Sequence, residues 1–138
     1  MYEMLEENFL VPFDEDERMI SYHPIRPIDI FCNRIEPANC VVNLSKKLTW
    51  VEAAPVVLQY IEWLNVCESQ LIDYFHSKCG EDLPHNWFES IEVYFADITV
   101  LALDDFGATI HFGESLFPEH VIELDFEQFE LVSERLNG

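Results

Sequence analysis

Between Val57 and Phe75 the apolar residues Val57, Tyr60, Ile61, Leu64, Cys67, Leu71, Ile72 and Phe75 recur at spacings of three and four, with Gln59, Glu62, Ser69, Asp73 and His76 between them. That period puts the two sets on opposite faces of an α-helix and predicts a long amphipathic helix lying on an apolar surface. Thr49 and Glu52 have capping-box spacing, in which hydroxyl and carboxylate satisfy backbone donors of the first turn. Gly80 follows Lys78, where a left-handed stop is needed. The main helix is therefore expected over 49–80. Pro55 removes a ladder bond, so the helix either kinks there or begins at Pro55 after a short turn. The stretch from Pro55 to Lys78 would be roughly 36 Å long at 1.5 Å per residue.

Beyond Pro84 the period changes from helical to alternating. Ile91 to Leu103 is almost entirely apolar or β-branched and predicts a long buried strand bent near Asp97. Asp104-Asp105-Phe106-Gly107 reads as a turn with the glycine at a positive φ. Ala108, Ile110 and Phe112 then alternate with Thr109 and His111. A loop from Gly113 to Glu119 leads to a strand over Val121 to Phe126, whose Ile122, Leu124 and Phe126 face the core while Glu123 and Asp125 face water. Phe129 to Arg135 suits a fourth strand or a short terminal helix. The segment 91–136 is expected as a β-meander.

Upstream, Pro12, Pro24, Pro27 and many charges interrupt any period, so 1–27 is expected as an irregular acidic segment. Ile28, Ile30 and Cys32 alternate with Asp29, Phe31 and Asn33, and a turn over Pro37 to Asn39 precedes Cys40 to Leu44, which predicts a hairpin of these two strands. The expected fold is α+β in a single domain, 1–138: an antiparallel meander with one face packed by the long helix. Disorder is excluded, because 49% of the chain is hydrophobic and 14% aromatic.

Charge narrows the partners. The chain has 27 Asp and Glu against 7 Lys and Arg, a net charge of −20. Residues 1–78 hold 13 acids and 6 bases, whereas 79–138 hold 14 acids and only Arg135. Such a surface repels nucleic-acid phosphates and anionic lipid and attracts basic proteins. Met1 to Phe13 lacks the basic and apolar regions of a signal peptide, and no apolar run approaches the roughly 18 residues of a membrane helix. A cytoplasmic protein is expected. Cys32, Cys40, Cys67 and Cys79 form no C-x-x-C pair, which in a reducing compartment makes them free thiols used as small core residues.

Catalytic chemistry is poorly represented. His111 with Glu114, and His120 with Glu123, are spaced by three, which in a strand directs the members of each pair to opposite faces. No metal site, nucleophile elbow, phosphate loop or cofactor is expected. His111 and His120 could still meet across a hairpin. The apolar residues Leu116 and Phe117 stand between Glu114 and Glu119, an aromatic anchor ringed by acids, as in a protein-binding hot spot. Trp87 is expected to pack against the helix. The partner-binding surface is expected at Asp104, Asp105, Glu114, Leu116, Phe117 and Glu119, with Leu116 or Phe117 as anchor.

The run from Trp50 to the end, with its helix, SIEVYFADITVLAL, DDFGATIHFG and HVIELDF, resembles small stand-alone bacterial proteins of uncharacterised families, some associated with toxin–immunity loci. The resemblance covers about two thirds of the chain. It implies a non-enzymatic immunity protein that neutralises a cognate toxin, often a basic nuclease, by covering its active site with carboxylates. Two other classes remain open. A small metal-dependent or hydrolytic enzyme would need a pocket gathering His111, His120 and acids; an adaptor subunit would self-associate through an exposed sheet edge.

Overall fold

Seven strands in the order β1-β2-β5-β6-β7-β8-β9 form the main sheet of the computed structural model, which describes residues 9–114 and 117–137, with backbone alone at 117–120 and 136–137. In chain order they are β1 (Leu10–Glu15), β2 (Met19–Pro24), β5 (Cys40–Ser45), β6 (Ile91–Ala102), β7 (Asp105–Glu114), β8 (Phe117–Glu127) and β9 (Glu130–Asn137). Strands β3 (Ile28–Ile30) and β4 (Asn33–Ile35) make a separate two-stranded hairpin. Two helices, α1 (Trp50–Leu64) and α2 (Glu68–Tyr74), complete an α+β fold. Every sheet pairing is antiparallel except β5 with β6, which run parallel because α1 and α2 form the crossover between them.

The meander of β6 to β9 forms as the alternation predicts, and Glu130–Asn137 takes the strand rather than the helical alternative. Three other expectations are corrected. Residues 10–24, within the segment expected to be irregular, form the β1–β2 hairpin: Pro12 is tolerated because β1 is an edge strand, and Pro24 because it ends one. Ile28–Ile30 pairs with Asn33–Ile35, not with Cys40–Ser45, which instead lies between β2 and β6. Gly107 lies inside β7 at an ordinary negative φ, and the turn is Leu103-Asp104. What requires glycine at 107 is close approach, since a Cβ there would meet the Phe126 carbonyl oxygen at 2.6 Å.

The expected single long helix is also corrected. The capping box is present, with Thr49 Oγ1 accepting from Glu52 N–H and the Glu52 carboxylate accepting from Thr49 N–H, so the helix begins at Trp50 and absorbs Pro55. It stops at Leu64 because Asn65 turns its side chain onto backbone. Asn65 Nδ2 donates to the carbonyls of Ile61 (3.0 Å) and Asp29 (2.7 Å), while Oδ1 accepts from Cys32 N–H at 2.7 Å. After α2 a π-helical turn runs over Phe75–Cys79, and Gly80 supplies the left-handed stop at φ 69°. Val57, Tyr60, Ile61, Leu64, Cys67, Leu71 and Phe75 are all buried, so the apolar face continues across the break.

Helices and the β3–β4 hairpin cover one face of the sheet, where Val42, Leu44, Ile98, Ile110, Phe112 and Leu124 form the core. Trp87 packs there as expected, nearly inaccessible and edge-on to Phe112 at 5.3 Å. The tip of the hairpin is unusual: Phe31 and Cys32 both have positive φ, 54° and 62°, where glycine or asparagine is the ordinary choice. Phe31 is fully buried against Phe88 at 4.8 Å, which holds the strained turn closed. Cys40 and Cys67 are buried and burial pushes both thiols up to about 12, whereas Cys32 and Cys79 are exposed, contrary to a wholly structural set. In the native protein a thiol reagent should therefore label two cysteines at once and the other two only after denaturant is added, as counted by mass spectrometry.

Candidate functional site

Among the described residues no helix covers the other face of the sheet. Its central rows are polar and follow from alternation: each core residue of β6 to β8 is flanked by outward Asp97, Thr99, Thr109, His111, Glu123 and Asp125. Cross-strand registers bring these into hydrogen-bonded chains. Ser21 donates to Asn43 Oδ1 at 2.6 Å, and Asn43 donates to Asp97 Oδ1 at 2.8 Å. On the β8 side, Asp125 accepts from Thr109 and Ser133, each at 2.9 Å, and Arg135 bridges Asp125 and Glu123.

The two aspartates are tuned in opposite directions. Burial raises the Asp97 carboxyl above its ordinary value, outweighing its bonds to Thr99 and Asn43 and the attraction of His111. At Asp125 burial acts in the same direction, but Ser133, Thr109 and Arg135 together hold the carboxyl below the usual range. The stability contributed by Asp97 is thus fully present below the ordinary value of 3.8 and is lost as pH rises through the raised folded value. Asp97→Asn keeps an oxygen for Asn43 and Thr99 and removes the half-buried charge. It should raise the thermal midpoint at pH 7, and the difference from wild type should shrink as pH is lowered toward 4.

At one end of this face the backbone pushes apolar groups outward. The β6–β7 register slips between Val100 and Ala102, and the β8–β9 register slips opposite Val132, so Leu101 and Val132 are bulge residues. Leu101, two residues beyond Thr99, faces outward by the same alternation, and the bulge at Val132 sets an extra residue between Leu131 and Ser133; Leu101 is 50% and Val132 43% exposed. The turn Gln128-Phe129 supplies a third. Gln128 takes a positive φ of 50°, its N–H donates to the Phe106 carbonyl at 2.8 Å, and its side-chain amide donates to the Asp104 carbonyl, lacing the two turns together. Phe129 is left 43% exposed, with its inner edge against Tyr60, Trp63 and Phe106 at 5.4–5.7 Å. Leu103, in the neighbouring turn, is 48% exposed.

A groove of about 730 Å³ runs between these groups, walled by Leu101, Phe106 and Phe129 and rimmed by Asp105, Glu127 and Glu130. Neither lysine nor arginine lines it. A second groove of about 280 Å³, reaching Asp97, Asp125 and Val132, shares Thr99, Gly107 and Glu127 with the first, so the two form one depression on the bare face. Lys46 leaves β5 at the same end of the sheet but is held by Glu15 at 2.8 Å.

The expected partner-binding residues do not converge. Asp104 and Asp105 lie at this end. Glu114 lies at the far end of β7, nine residue steps and roughly 30 Å away at 3.4 Å per step, where burial raises its carboxyl. Phe117 and Glu119 belong to β8 rather than a loop, and their side chains, with Leu116, lie outside the described residues. The expected bend in β6 falls at Tyr94 and Leu101, not at Asp97, which pairs regularly with Val41 and Thr109. His111 faces Glu123, with Nδ1 3.8 Å from its carboxylate, so the register does not set it opposite His120. Among the described residues no three His, Cys, Asp or Glu side chains are grouped to hold a metal, and no helix is long and apolar enough to cross a membrane.

The chain matches no protein-family model, no curated protein and no solved structure. The functional reading therefore rests on this surface alone. Leu101, Gln128, Phe129 and Val132 were missed by pattern reasoning.

Proposed function

We propose that this chain is a protein-binding module whose acidic, apolar-centred end covers a basic surface of a partner protein. Immunity to a basic toxin, of the nuclease kind, is its most specific form. The observation that supports this reading is the placement of Leu101 and Phe129, half exposed and rimmed by Asp105, Glu127 and Glu130, with Val132 beside Glu127 in the adjoining recess. Half-exposed apolar anchors supply affinity once water is excluded, and rim carboxylates supply orientation and encounter rate. Phe129 is also held in place by Tyr60, Trp63 and Phe106 before any partner arrives, which lowers the entropy lost on binding.

The test uses the partner captured from cells and then purified. Leu101→Ala, which removes an outward side chain and no core group, should weaken the complex about tenfold, chiefly by faster dissociation. Asp105→Asn should slow association and leave dissociation almost unchanged. Association of the wild type should slow steeply between 0.01 and 0.15 M salt, as the screening length contracts from ~30 to ~8 Å. Unchanged affinity on Leu101→Ala, with a salt-independent association rate, would place the interface elsewhere.

A further inference from the structure

The two edges of the main sheet are not equivalent. Strand β1 is guarded: it contains Pro12, and its register with β2 breaks between Pro12 and Asp14. Strand β9, Glu-Leu-Val-Ser-Glu-Arg-Leu-Asn, has neither proline nor lysine and, among the described residues, pairs only with β8. Past its single bulge at Val132 it runs regularly from Ser133 to Asn137. Its outer edge therefore presents backbone donors and acceptors with no strand of the described residues beside them.

A slot of about 490 Å³ lies at the start of this strand, between Asp73 and Tyr74 of α2 and Phe129, Glu130 and Leu131 of the β8–β9 turn and β9. Two hydrogen bonds hold α2 beside the β8–β9 turn and β9: the Tyr74 hydroxyl donates to Glu134 at 3.0 Å, and Gln70 Nε2 donates to the Phe129 carbonyl at 3.3 Å. Phe129 and Glu130 line both this slot and the larger groove on the bare face, so one half-exposed ring separates two recesses on either side of the sheet's end. An edge strand with a recess toward each face is the arrangement for strand addition, in which main-chain bonds bind the segment and alternate side chains enter the recesses.

We propose that the β9 edge takes an extended, lysine- or arginine-bearing segment of the partner as an eighth strand. Its basic side chains reach Asp73, Glu127 and Glu130, and an apolar one rests on Phe129. In the slot Asp73 and Glu130 stand against one cation, Lys78, and Arg135 of β9 is already paired with Glu123 and Asp125. A second copy of the chain, itself at −20, is disfavoured at the same edge by like charge. The proposal rests on the reading of this end as a site for a basic protein and adds the mode of capture.

The probe is a twelve-residue peptide of alternating lysine and valine, compared with a twin carrying N-methyl groups on four consecutive central nitrogens, which keeps every charge and blocks both edges of the peptide. The expected result is saturable binding of the first, slowed amide exchange at 130–137, and affinity about tenfold or more lower for the twin, through the lost main-chain bonds. Equal affinity of the two peptides, or binding without protection of β9, would overturn strand addition while leaving the acidic end as a binding site. Failure of both peptides to bind, with the purified partner still lost on Leu101→Ala, would do the same. Failure together with a partner indifferent to Leu101→Ala would remove the underlying reading as well. A concentration-dependent dimer with β9 amides protected would assign the edge to a second copy instead.

Discussion

Phe31→Ala should lower the stability of the protein by about 3–5 kcal/mol, the range for removing a buried phenylalanine that leaves a cavity. Phe31 stands at the tip of the β3–β4 hairpin in a left-handed conformation, which costs a non-glycine residue about 1–2 kcal/mol. Alanine would retain that strain and lose the ring that offsets it, which packs on Phe88 and meets Phe112 and Phe126 edge-on at 6.2 and 6.1 Å. Phe112, Phe88 and Phe126 are themselves buried, so a cavity is expected at the site. Domains of this kind are stable by about 5–15 kcal/mol, so the loss is a large share of the whole. It is read as a shift in denaturant midpoint at unchanged slope. Phe13→Ala is the control: Phe13 stacks on His23 but is half exposed, and about 1 kcal/mol or less is expected.

Asn65→Ala should destabilise by about 2–3 kcal/mol. Three hydrogen bonds converge on this side chain, each worth about 0.5–1.5 kcal/mol, and they join the end of α1 to the hairpin that Phe31 anchors. A second readout separates this tie from a local effect on helix propensity. The Cys32 thiol donates to the Asn65 carbonyl at 3.3 Å, so labelling of Cys32 in the native state should quicken in the variant while Cys79 is unchanged. Asn65→Asp, which sets a carboxylate oxygen against the Ile61 and Asp29 carbonyls at the C-terminal end of α1, should destabilise at least as much.

Asn65 also shows where sequence reasoning stops. The apolar period from Val57 to Phe75 is correct at nearly every position, because burial on one face is a local property of spacing. The break at 65–67 depends on Asp29 and Cys32, far away in the chain, and no spacing within the helix contains them. The same distinction explains the sheet. Alternation at Cys40, Val42 and Leu44 shows which face they bury but not that β5 lies beside β2 and, in parallel, β6. The prolines that made 1–27 look irregular are compatible with an edge strand and a strand end, and only the neighbours decide between those readings.

At the site, the acids were legible and the anchors were not. Asp104 and Asp105 stand out by charge. Leu101 is hidden inside SIEVYFADITVLAL, a run apolar enough to read as buried on both faces, although it shares the outward face of Asp97 and Thr99. Phe129 follows Gln128, a residue with no bias toward the left-handed turn it adopts, so the pattern contained no turn signal there. Glu114 and Asp105 cannot share a surface because successive connections of a meander lie at opposite ends of the strand that joins them.

The lone parallel pairing divides the sheet by order of assembly. From β6 to β9 each strand meets its neighbour across a short turn, so little chain entropy opposes the contacts, whereas β5 finds β6 only after the chain has left the sheet at Ser45 and returned at Ile91. The meander is then expected to form first, with β1, β2 and β5 joining it later. Peptide hydrogens of Ile20, Tyr22 and Val42 should exchange through a partial opening of lower free energy than those of Ile110 and Leu124. The surface that carries Leu101 and Phe129 would remain folded while that opening takes place.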